Sequence, residues 1–173
     1  MEMSNSLVFD NDIISQSAIL SREGHSKICE SEFKFNSSNK GGGSIVNCSN
    51  SSMSIENCLF SDNNAEYGGA ISNLGEMELM DSTLIKNKVK FNLGGALSNS
   101  GNLIIGNSIF SLNYARNGAS AINSSGGILN IYNSCFNQNE SKNDGIIIIN
   151  ETKLNMDSCK LENNIPSDDI IHR

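Results

Sequence analysis

Large apolar residues return along this chain in a fixed phrase: an aromatic or aliphatic anchor, then Asn three residues later. The anchors are Val8, Phe33, Phe60, Leu84, Phe110, Phe136 and Leu161. Their partners are Asn11, Asn36, Asn63, Asn87, Asn113, Asn139 and Asn164. Five residues before each anchor stands another large apolar residue: Met3, Ile28, Ile55, Leu79, Ile105, Ile131 and Met156. Two before stands a small one: Ser6, Ser31, Cys58, Ser82, Ser108, Ser134 and Cys159. Seven before stand Met1, Ser26, Met53, Met77, Leu103, Leu129 and Leu154. Steps of two with one slip predict a strand, a bend or bulge, and a second short strand, and a helical period does not fit them.

A second block precedes each strand: Gly42 to Ile45 reads GGSI, Gly68 to Ile71 GGAI, Gly94 to Leu97 GGAL, and Ala119 to Ile122 ASAI. Glycine there permits a tight turn or a close backbone approach, and the small residue beside it points into a narrow interior. The Ile or Leu opens another short strand, and Ser72-Asn73 and Ser98-Asn99 turn the chain again. One period therefore holds about three short strands and three turns. Such a unit cannot bury its own apolar face, but stacking each on the next can. The expectation is an all-β, right-handed, single-stranded parallel β-helix. It has about seven coils of 24–27 residues and fills residues 1–173 as one solenoid domain.

In that frame the repeated residues are structural. Phe33, Phe60, Phe110 and Phe136 fill the widest part of the coil. The seven Asn form a ladder, since an amide both donates and accepts and so passes a hydrogen bond to the next coil. Asp in that column would stack like charges about 5 Å apart.

The GGA[ILV] and Phe-x-x-Asn phrases together, at this period, resemble the repeats of the chlamydial polymorphic membrane proteins and of adhesin-like surface proteins. The resemblance covers nearly the whole chain. It implies a right-handed β-helix passenger at a cell surface, used in adhesion, whose partners are host or environmental glycans or surface proteins. No stretch of these 173 residues resembles the family's signal peptide, β-barrel or sorting signal. Both of its ends fall inside a repeat, so a piece of a longer solenoid is expected.

Composition narrows the classes. Of 173 residues 38% are hydrophobic and only 18% charged, with a net charge of −7. That balance argues against nucleic acid, which needs a basic face. The longest apolar run, Ile146 to Ile149, is far short of the roughly 20 residues that span a bilayer, so this segment is not expected to insert in a membrane. Five Cys with no C-x-x-C pair fit neither a disulfide framework nor a zinc site. Cys58 and Cys159 fall in the small inward column and are expected as buried thiols; Cys135 should face outward.

Candidate chemistry is sparse. Polysaccharide lyases and hydrolases need acids converging on one face. The column three before the anchor (Asn5, Glu30, Asn57, Asp81, Asn107, Asn133, Ser158) holds two acids, interrupted by Asn57. Asp10 with Asp12 and Asp168 with Asp169 are fragments of a calcium set at most. His25 and His172 lie far apart, with no Ser or Cys partner at a recognisable motif. No enzyme activity and no cofactor is expected. A speculative anion-binding strip for acidic glycans is formed by Lys90, Arg116 and Lys142, each six residues past an anchor. The column before the anchor (Leu59, Thr83, Ile109, Cys135) points outward yet is largely apolar, so either a covering loop or strand, which is preferred, or a partner-binding face is expected. N-x-[ST] sequons begin at Asn36, Asn50, Asn123, Asn139 and Asn150, of which Asn36 and Asn139 belong to the ladder and should be poor acceptors. The functional expectation is a non-enzymatic, adhesin-like binding or passenger module. The alternatives are a degenerate polysaccharide-active β-helix and a structural spacer.

Overall fold

A computed structural model describes residues 1–14, 17–89, 93–166 and 170–172. The chain winds as a right-handed parallel β-helix with no helix among the described residues. Every paired strand runs parallel to its neighbour one coil away: Glu76 pairs with Ser52 and Asn102, Leu84 with Phe60 and Phe110, Val89 with Ala65 and Ala115. The anchor strands form one seven-stranded sheet. Seven levels are joined by about six turns, so the turn count is slightly below the seven coils expected.

One coil shows the path. Strand Glu76–Met80 carries Met77 and Leu79 inward; strand Thr83–Ile85 carries Leu84; strand Lys88–Val89 carries Val89; strand Leu97–Asn99 returns the chain to the next level. The period thus holds four strands where the sequence pattern indicated three. The extra one is the two-residue strand after the ladder Asn, too short to show a period of two. In the early coils the last strand merges with the one that follows, giving the long strands Ile19–Cys29 and Ile45–Glu56.

The corners are left-handed. All seven residues three before the anchor have φ between 48° and 53°, from Asn5 to Ser158. All seven residues two after it (Asp10, Phe35, Asp62, Lys86, Leu112, Gln138, Asn163) have φ between 52° and 57°. The column read as a broken row of acids is therefore a corner. Asn and Asp are common there because they tolerate this backbone region best.

Each corner is closed by the side chain that follows it. After the first corner, the backbone N–H of Ser82 donates to Ser108 Oγ (3.2 Å), and that of Ser108 to Ser134 Oγ (3.1 Å). After the second, the Asn87 N–H donates to Asn113 Oδ1 (3.0 Å), and Asn87 Nδ2 donates both to Asn113 Oδ1 (3.1 Å) and to the Phe60 carbonyl (3.0 Å). The same pattern runs from Asn36 to Asn139. A second, shorter ladder links Asn47, Asn73, Asn99 and the Ser124 hydroxyl at 2.8, 2.8 and 2.9 Å. Asn73 and Asn99, read from sequence as turn residues, belong to it.

The core is built of stacked columns. Ile28, Ile55, Leu79, Ile105 and Ile131 form one; Ile45, Ile71, Leu97, Ile122 and Ile147 form another. Phe33 stacks on Phe60 at 4.7 Å and Phe110 on Phe136 at 4.9 Å, with Leu84 dividing the two pairs. Behind them the glycine column closes tightly: a Cβ on Gly69 would lie 2.1 Å from the Gly95 carbonyl oxygen.

The ladder makes a stability prediction. Asn87→Ala leaves the Asn63 N–H and amide without their acceptor and is expected to cost about 2–4 kcal/mol in urea unfolding. Asn87→Asp buries an acceptor-only charge and is expected to cost about 3–5 kcal/mol at neutral pH. Relative to wild type at the same pH, part of that cost is regained as the pH falls from neutral to about 4, because burial makes the folded chain take up the proton before the unfolded one does, and no more is regained below about pH 4. An Asp variant within 1 kcal/mol of wild type at neutral pH, the width of an ordinary surface change, would remove the ladder from this account.

Candidate functional site

The face of the long sheet that points away from the core carries what the ladders leave over. On strands Ile19–Cys29, Ile45–Glu56, Glu76–Met80, Asn102–Gly106 and Ile128–Tyr132, inward Met53, Met77, Leu79, Leu103, Ile105, Leu129 and Ile131 alternate with outward residues. The outward residues align across coils. One column reads His25, Ser52, Glu76, Asn102; the next reads Lys27, Ser54, Glu78, Ile104, Asn130. All of these but Lys27, joined by Ile128, line an open groove of about 390 Å³ that spans five coils. At the β spacing this is a run of roughly 19 Å.

Ser52 and Ser54 are the shortest side chains in the groove and form a dip between His25 on one level and Glu76 and Glu78 on the next. His25 Nδ1 lies 2.9 Å from Ser52 Oγ, a partner that sequence reasoning did not assign because 27 residues separate the two. Asn102 ties the groove together, donating from Nδ2 to Glu76 Oε1 (3.0 Å) while its Oδ1 accepts the Ile128 N–H (3.0 Å). Asn155 Nδ2 donates to Asn130 Oδ1 (2.7 Å). At the margin the Tyr132 ring packs over Gly106, where an added Cβ would come 2.5 Å from a ring carbon, and its hydroxyl reaches Met80 Sδ at 3.4 Å.

Glu76 and Glu78 are both exposed and project from one strand on one face. Hydrolysis of a glycosidic bond needs two carboxyl groups flanking the bond, one on each side of the sugar. This pair approaches from a single side. Among the described residues no three His, Cys, Asp or Glu side chains are placed to hold a metal ion.

The other candidates fall as follows. The ladder residues Asn36, Asn63, Asn87, Asn113 and Asn139 and the four Phe are fully buried; Asn11, on the first level, is half-buried. Arg116 and Lys142 are exposed on adjacent coils, where the Lys142 N–H donates to the Ala115 carbonyl (3.2 Å). Asn143 bonds Asn117 beside them, and the Asp144 carboxylate accepts the Gly118 N–H. Lys90 lies outside the described residues, as do Asp168, Asp169 and the His172 side chain. Asp10 sits at a left-handed corner and Asp12 on an exposed strand position.

Two expectations are corrected. The column Leu59, Thr83, Ile109, Cys135 is not fully covered: Ile109 is 46% exposed and the other three are half-buried. Cys58 is buried as expected, but Cys159 is only half-buried, since it lies on the last anchor level and has no anchor strand beyond it. Of the sequons, Asn36, Asn123 and Asn139 are buried, whereas Asn50 and Asn150 are exposed.

The chain matches no known protein family, no curated protein and no solved structure.

Burial pushes the Cys58 thiol above its ordinary 9.0, partly offset by backbone hydrogen bonds at Ser31 and Glu56. Because the folded state holds the proton more tightly, this contribution to stability is intact below pH 9 and is lost as the pH rises further. Cys58→Ser, the residue its column carries at most other levels, is therefore expected to flatten the fall of the urea midpoint above pH 9. An unchanged slope would place the alkaline sensitivity elsewhere, with Cys135 the next thiol raised by burial.

Proposed function

We propose that the chain is a non-enzymatic binding module of the adhesin-like, surface-exposed kind, and that its ligand, a glycan or a segment of a surface protein, lies in the long-sheet groove. The observation that carries this reading is the groove itself. It spans five coils, is lined mainly by outward side chains, and lies on a sheet whose coils are tied to one another by the ladders at the turns. Binding sites placed on rigid elements lose little entropy on ligand capture. The repeat phrases resemble those of adhesin-like surface proteins, which supports the same class.

The polysaccharide-active alternative has Glu76 and Glu78 in its favour, but their one-sided placement supports recognition over bond cleavage. A second binding edge is offered by Arg116 and Lys142, the part of the anion strip that falls within the described residues.

The test is an array of neutral, acidic and amino glycans with surface-protein peptides, probed with the wild-type chain and with Ser52→Trp/Ser54→Trp, which fills the dip with exposed strand-compatible side chains. At least one ligand is expected to bind wild type and to lose about tenfold or more in affinity to the Trp variant, with no release of new reducing ends. Loss of an acidic glycan on Arg116→Ala/Lys142→Ala instead would move the site to that edge. Glu76-dependent product release would make the chain an enzyme, and no binding at all would leave the spacer.

A further inference from the structure

We infer that the groove selects a glycan bearing free amino groups over one bearing carboxylates. The inference rests on the binding reading above and names the ligand class of the same site.

Electrostatics set the sign. The carboxylates lining the groove are Glu76 and Glu78, and His25 lines its first level. Around the rim stand Lys27, in register with Ser54, Glu56, in register with Met80, Lys153, in register with Ile128, and Asp157, in register with Tyr132. The carboxylates outnumber the cations locally, on a chain whose net charge is −7. Two carboxylates two residues apart on one strand face are about 7 Å apart at their Cβ atoms, so both act on charge bound in the groove beside them, with Glu76 Oε1 held by the Asn102 amide. A uronic acid there would meet like charge, and an ammonium group would meet two counter-charges.

The backbone argues for a sugar. The N–H and C=O groups of this sheet are spent between coils, so the face offers no edge to which a peptide strand could add. Recognition falls to side chains: the hydroxyls of Ser52 and Ser54 on one level, and the amides of Asn102 and Asn130 two and three levels on. Hydroxyls and amides both donate and accept, as the hydroxyls of a polyol require. Exposed Ile128, half-buried Ile104 and the Tyr132 ring supply the apolar surface that the C–H face of a sugar ring requires.

The experiment is calorimetric titration of the whole chain with four probes: a deacetylated chito-oligosaccharide, its N-acetylated counterpart, an oligogalacturonate and oligolysine. Wild type is compared with Glu76→Gln/Glu78→Gln, whose exposed positions leave the core untouched. The deacetylated sugar is expected to bind tightest, to weaken as salt screens the pair, and to lose about tenfold in the double variant. The acetylated sugar should be indifferent to the variant. If the acetylated sugar or the galacturonate binds as well as the deacetylated one, or the variant binds the amine undiminished, the selectivity is wrong while the groove stands. Glu-dependent binding of oligolysine alone overturns the inference in favour of a basic peptide. If none of the four binds, the inference falls, and the array above then decides whether the groove reading falls with it.

Discussion

Two backbone N–H groups per coil cannot stay in the sheet, and the fold depends on how they are satisfied. A parallel β-helix must turn sharply, and here it turns through left-handed residues three before and two after each anchor. At the corner itself the N–H still reaches a neighbouring carbonyl: Asp81 to Gly106, Lys86 to Ser111. The next residue has rotated too far. Its N–H is taken instead by a side-chain oxygen of the following coil, Ser108 Oγ for Ser82 and Asn113 Oδ1 for Asn87. An unpaired buried N–H costs about 1–3 kcal/mol, and two per coil over seven levels would exceed the net stability of an ordinary domain.

That requirement explains the choice of residues. The first corner needs an acceptor for one N–H and a donor for its own carbonyl two residues back, which Ser supplies: Ser82 Oγ donates to the Met80 carbonyl at 2.7 Å. The second corner also needs a donor that reaches back to the anchor's carbonyl on the previous level, which only an amide supplies at this length. Cys58 stands in the Ser column with the same geometry and weaker bonds, its Sγ donating to the Glu56 carbonyl at 3.2 Å. The second Asn ladder serves the carbonyls of the third turn instead, Asn73 Nδ2 donating to the Gly75 and Asn102 carbonyls at 3.2 Å each, and it ends where Ser124 replaces Asn.

Much of this was legible because the columns are constrained. Phe60 and Asn63 recur in kind at most levels, since a change in one coil disturbs both neighbours. The second corner was not legible. Its residues are Phe35, Asp62, Lys86, Leu112 and Gln138, which share only a backbone conformation imposed by the ladder that follows them. The short strand Lys88–Val89 was hidden for want of length. The groove escaped for the opposite reason: Ser52, Glu76 and Asn102 share a column but not a chemistry, so no repeat draws attention to them, and only register shows that they are neighbours. The His25–Ser52 contact belongs with them.

The division between constrained and variable columns is what makes the outward face available for recognition. An inward substitution is felt by two coils at once, while an outward one at Glu78 or Ile104 touches only its lateral neighbours. The ladders therefore decouple the chemistry of the outward face from stability. The decoupling is incomplete where an outward side chain borrows from the backbone. Asn102 accepts the Ile128 N–H, which makes it both part of the groove and part of the turn entering the next level. The Tyr132 ring rests over Gly106 because that position has no Cβ, so the aromatic margin depends on a glycine one coil away. These two positions join scaffold to surface, and a change at either alters the shape of the groove and the fit between two coils together.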